Sequence, residues 1–86
     1  MDKVYRIYTE DLDRDAVIEA TTAKFESFTL QPTTGFYKGK PEKSIVLEIV
    51  DAKEEEVEML AQSIRKINGQ KSVLVMILAG QAKKIQ

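Results

Sequence analysis

Apolar positions along this chain switch between two periods, and each switch marks a new element. Residues 3–9, KVYRIYT, are aromatic and β-branched and predict a strand. Asp11 or Asp13 then caps a helix that runs to about Phe25. Val17, Ala20, Thr21 and Phe25 fall on one face at helical spacing, while Glu19 and Lys24 stay in solvent. The stripe is thin, and Thr21-Thr22 weakens its middle. Residues 27–38 return to period two, with Phe28 and Leu30 alternating with Thr29 and Gln31. Pro32 has no N–H for a ladder, so this strand is an edge or bulges there. Gly39-Lys40-Pro41-Glu42 supplies turn chemistry, and residues 43–50, KSIVLEIV, predict a third strand. The stretch TGFYKGKPEK is therefore first of all the tip of a hairpin.

Asp51-x-x-Glu54 has the capping-box spacing, with aspartate in the serine position, and opens a second helix. Val57, Leu60, Ala61, Ile64 and Ile67 recur at i, i+3, i+4, i+7 and i+10, a well-defined apolar stripe. Acids crowd its first turns and Arg65-Lys66 its last, which suits the helix dipole. Asn68-Gly69 ends it in a left-handed cap. Residues 72–78, SVLVMIL, follow as an unbroken apolar strand, and the polar tail over 80–86 is expected to fray.

The order β-α-β-β-α-β is that of a ferredoxin-like α+β sandwich over 1–86: a four-stranded antiparallel sheet, order 4-1-3-2, with two helices on one face. Alternation points Tyr5, Ile7, Phe28, Leu30, Ile45, Leu47 and Ile49 at the helices. The bare face then carries Val4, Arg6, Tyr8, Thr29, Gln31, Tyr37, Val46, Glu48 and Val50. A register reset at Pro32 exchanges Phe36 and Tyr37 between the faces. The bare face is too apolar to be left wholly wet and too polar for a core, which marks an interface or binding groove. The last strand has no polar alternation, so both its sides want cover. A chain of 86 residues is also marginal as a monomer, and self-association, as a dimer or larger, is the expected remedy.

Composition narrows the chemistry. The net charge is −1, which argues against binding nucleic acid through a generally basic surface. No apolar run reaches 18 residues, so no membrane span is expected, and the N-terminus lacks an apolar signal core, which leaves a cytoplasmic protein. Cysteine and histidine are both absent. That removes disulfides, thiolate nucleophiles and the commonest general base and metal ligand, so no cofactor or metal is expected, and no enzyme unless one that works with carboxylates, lysine, tyrosine or backbone groups.

Three motifs reduce to structural roles. VYRIYT resembles the first strand of RNA-recognition folds, but the third strand lacks the aromatics that stack bases there. Asp11-x-Asp13-x-Asp15 copies the start of a calcium loop, yet Ala16 stands where glycine is needed and Thr22 where glutamate is needed. Gly39-Lys40 lacks the phosphate-loop spacing. Lys38, Lys40 and Lys43 still make the hairpin tip cationic, either as a guard against edge pairing or as an arm that reads phosphate. Arg6 and Glu48 either pair across the ladder, or Arg6 joins Tyr8 and Tyr37 in an anion-binding cluster.

The segments VYRIYTED, GFYKGKPEKSIVLEI and IRKINGQKSVLV resemble short uncharacterised proteins of bacteriophages and mobile elements. At fold level the chain is also similar to small signal-binding modules of the nitrogen-regulatory PII and ACT type. The long loop between PII strands two and three corresponds in place to TGFYKGKPEK. The resemblances imply a homo-oligomer that binds an anionic small molecule, such as a nucleotide signal, between subunits, in a host-takeover or counter-defence role. Its candidate ligand residues are Arg6, Tyr8, Tyr37, Lys38 and Lys40. The alternative is an inhibitor or adaptor that docks a host protein through the open sheet face or an edge strand.

Overall fold

A computed structural model describes residues 3–79. The elements run β1 (Lys3–Glu10), α1 (Arg14–Thr22), β2 (Thr29–Tyr37), β3 (Lys40–Val50), α2 (Glu54–Asn68) and β4 (Leu74–Ala79). The four strands form one antiparallel sheet in the order β2-β3-β1-β4. This is the ferredoxin-like α+β sandwich that the element order predicts, with the first and third strands central. The frayed tail expected over 80–86 lies outside the described residues.

The core lies between sheet and helices. Alternate residues of β1 and β3, namely Tyr5, Ile7, Ile45, Leu47 and Ile49, are buried against Val17 of α1 and Val57, Leu60 and Ile64 of α2. These are the inward positions of the period-two and period-3.6 patterns. Thr21, which looked out of place in the first helix, is fully buried, and its hydroxyl donates to the Val17 carbonyl at 2.7 Å. Of the two cap candidates, Asp13 does the capping: its carboxylate accepts from the Ala16 N–H at 3.2 Å, while Asp11 pairs with Arg14. The helix ends at Thr22, short of Phe25. A further turn, with the Phe25 N–H on the Thr21 carbonyl at 2.9 Å, still carries Phe25 into the core.

β4 begins at Leu74, two residues later than expected, and two connections also differ from expectation. The hairpin turns at Lys38-Gly39, not at Gly39–Glu42. Lys38 (φ 50°) and Gly39 (φ 78°) both sit in the left-handed region, the geometry of a two-residue turn matched to strand twist. Lys40, Pro41 and Glu42 are thus the first residues of β3. Pro41 is tolerated because β1 ends opposite Ser44, leaving no strand beside it on that side. Asp51, in turn, does not cap α2. It leaves β3 at φ 57° and donates its N–H to the Lys3 carbonyl, so it closes the sheet. The position before α2 is Lys53, which offers no side-chain cap. At the other end Gly69 takes the left-handed cap (φ 65°), and the Gln70 N–H reaches the Arg65 carbonyl at 2.9 Å.

β2 is an edge strand, and its pairing with β3 runs unbroken through Pro32↔Ile45 from Thr29↔Glu48 to Tyr37↔Lys40. No bulge resets the register. Phe36 therefore keeps the helix-side parity of Leu30, and Tyr37 keeps the open-face parity of Thr29 and Gln31.

Candidate functional site

The side of the sheet away from the helices is built by β1, β3 and β2 lying in register. Arg6 stands opposite Glu48, Tyr8 opposite Val46, and β2 adds Thr29 opposite Glu48 and Gln31 opposite Val46. These six side chains line a shallow concavity of about 240 Å³.

The charge at its centre is compensated. Arg6 Nε donates to Glu48 Oε2 at 2.9 Å, and the two side chains are 39% and 37% exposed. The hydrogen bond to Glu48, and after it the Tyr8 hydroxyl, hold the Arg6 guanidinium in its charged form beyond its ordinary value. Cross-strand pairing is thus what Arg6 does in the single chain. A ligand anion would share the guanidinium with Glu48, using the nitrogens that Nε leaves free.

The remaining candidates lie elsewhere. Tyr37, Lys38 and Lys40 occupy the hairpin tip, with Tyr37 paired to Lys40 and Lys38 Nζ 5.5 Å from the Tyr37 ring centroid. Tyr37 is six residues beyond Gln31 on the same strand, roughly 20 Å at strand rise. One chain therefore brings Arg6 and Tyr8 together at the concavity, and Tyr37, Lys38 and Lys40 together at the tip, but does not join the two groups. Sequence reasoning placed Thr29, Gln31, Val46 and Glu48 on the right face without naming them as site residues. The signal was available: they are the open-face neighbours of Arg6 and Tyr8 once β3 lies between β1 and β2.

A second polar cluster had no sequence signal. Asn68 Nδ2, at the end of α2, donates to Thr9 Oγ1 and the Glu10 carbonyl, each at 3.1 Å, and to Gln70 Oε1 at 2.9 Å. Thr9 also donates to Gln70. The cluster ties the end of β1 to the cap of α2 and is internally bonded, with Asn68 Oδ1 left buried without a partner. Among the described residues no group of acids is placed to hold a metal ion, and no helix is long and apolar enough to cross a membrane.

No protein-family model matches the chain, and no curated protein matches it. Solved structures do. A DUF3240 family protein from Shewanella baltica superposes with a TM-score of 0.73 at 11% identity, over 99% of this chain and 97% of that one. CPII, a nitrogen regulatory PII-like protein from Thiomonas intermedia seen with ADP, AMP and bicarbonate, gives 0.68 at 15% identity over 99% and 96%. A phage SAM lyase in complex with S-methyl-5′-thioadenosine gives 0.59 at 20% identity over 88% and 79%. At such identities the likeness is one of fold: this chain has the ferredoxin-like sandwich found in PII-type modules.

Proposed function

We propose that the protein is a homo-oligomeric binding module that holds an anionic, adenosine-type small molecule, such as a nucleotide signal, in a cleft between subunits. One observation carries the reading. The open-face concavity presents Arg6, Tyr8, Thr29 and Gln31, polar groups able to orient a ligand, but at about 240 Å³ it is smaller than ligand sites of roughly 300–1,000 Å³. A wall from a second copy would bring it into that range. Tyr8 and Tyr37 offer faces for a base, and Lys38 and Lys40 offer charge for phosphate. Adenosine compounds lead the candidate class because CPII and the phage lyase, which share this fold, are both seen with adenosine-containing ligands. A phage source, supported by the sequence resemblance, would make the module a counter-defence protein acting in the host cytoplasm.

The test is a thermal melt against ADP, AMP, S-adenosylmethionine and S-methyl-5′-thioadenosine. A true ligand at 100 times its dissociation constant adds about 2.7 kcal/mol of stability. The expected result is a shift with a nucleotide that is lost in Arg6→Ala and Tyr8→Ala. A panel with no shift overturns the reading, and S-methyl-5′-thioadenosine accumulating from S-adenosylmethionine replaces it with an enzymatic one. The second reading, an adaptor that docks a host protein by strand addition, is favoured by the bare apolar edge of β4. Retention of one host protein by the wild type and its loss in Met76→Lys would support that reading.

A further inference from the structure

We propose that the projecting end of the β2–β3 hairpin of one copy lies along the free edge of β4 in a second copy and brings its Tyr37 onto the open face that carries that copy's concavity. The proposal rests on the ligand-binding reading for its purpose, and on separate observations for the contact.

The first observation is an arm without support. β1 stops at Glu10, opposite Ser44, whereas β2 and β3 run on together through Thr34↔Lys43 to Tyr37↔Lys40. A two-stranded ribbon alone is marginal in water. This one shows Phe36, 72% exposed, on one side and Tyr37, 63% exposed, on the other.

The second is an edge without protection. β4 reads LVMILA and has β1 on one side only. It carries no charge and no proline, the usual guards of an edge strand, whereas β2 at the opposite edge carries Pro32. Leu74 (57% exposed) and Met76 (38%) lie on the open face, and Ile77 (45%) lies on the helix side.

The third is charge. Lys38, Lys40 and Lys43 on the arm are exposed, and so are Glu55 and Glu58 on the first turns of α2. None of the five takes part in an ion pair among the described residues. Glu58 lies beside Val75 of β4, and Glu55 precedes it by three residues on the same helix face, so this pair flanks the same edge.

The register sets what the arm would bring to the site. Met76 is paired with Arg6 and Leu74 with Tyr8. A strand added to β4 stands two strand spacings, roughly 10 Å, from Arg6 and Tyr8. With Tyr37 turned to the partner's open face, the two groups that one chain holds roughly 20 Å apart come within reach of one small molecule.

The chain has no cysteine, so an introduced pair reports without background. Tyr37→Cys and Met76→Cys proteins, mixed without ligand under mild oxidant, should form covalent heterodimers. A mixture of Lys24→Cys with Met76→Cys should not. Cross-linking no stronger than in that control overturns the contact. Met76→Cys alone dimerising as readily also overturns it, in favour of β4 pairing with β4. A second measurement does not depend on the cysteine variants. Lys38→Glu with Lys40→Glu, at an exposed tip, should weaken self-association by light scattering about tenfold, and Glu55→Lys with Glu58→Lys should restore it. Unchanged association contradicts the proposal. Cross-links with no ligand-dependent melt would refute the ligand reading alone; a melt shift without cross-links would refute the docking geometry alone.

Discussion

Thr9 and Thr21 are both buried hydroxyls, yet they do different jobs. Thr21 donates to a carbonyl of its own helix, one that keeps its helical N–H partner whatever happens to the side chain. Thr21→Val should therefore change stability by less than about 1 kcal/mol in urea unfolding. Thr9 accepts from Asn68 Nδ2 and donates to Gln70 Oε1, so its removal takes two hydrogen bonds out of the cluster. Thr9→Val should cost about 1–3 kcal/mol in the same assay. A titration separates a third residue. The hydrogen bond from Arg14 holds the Asp11 carboxyl below its ordinary value, with the charges of Arg14 and Lys43 helping. A depressed carboxylate contributes stability above the unfolded value of about 3.9, and loses it as pH falls through the lower folded value. The Asp11 carboxyl, followed by NMR, should titrate below that value in the wild type and return towards it in Arg14→Ala.

At the scale of elements, the hairpin turn and the second helix give the sharpest expectations. An added Cβ at Gly39 meets nothing within 4 Å, so the cost of Gly39→Ala is wholly that of holding alanine at φ 78°. That is about 1–2 kcal/mol by chemical denaturation. Leu60→Ala, on the fully buried stripe of α2, should cost about 2–5 kcal/mol, enough to unfold much of a small protein. That stripe, and the alternation in β1 and β3, were legible because burial imposes a period that side chains must obey. The turn was misplaced because lysine in a left-handed conformation leaves no mark, whereas Gly39 followed by Pro41 reads as a bend of its own. Asp51 was misread because aspartate suits both a helix cap and a left-handed corner, and only the bond to Lys3 separates them. The open face was legible residue by residue. The gap between Arg6 and Tyr37 was not, since it depends on where β1 stops against β3, a long-range register that no local pattern records.

The whole molecule has more surface seeking cover than its own chain covers among residues 3–79. The sheet's open side, the bare edge of β4 and the unsupported hairpin all point outward. A monomer of this size would bury only about 60–65% of the surface its unfolded chain exposes. Association should therefore stabilise the fold as well as complete the site, and the midpoint of unfolding should rise with protein concentration. The most direct measurement is the solution mass of the ligand-free protein by multi-angle light scattering across the micromolar range. The account predicts an integer multiple of the chain mass, falling towards a single chain when Met76 is changed to lysine. A single-chain mass for the wild type throughout that range would contradict it.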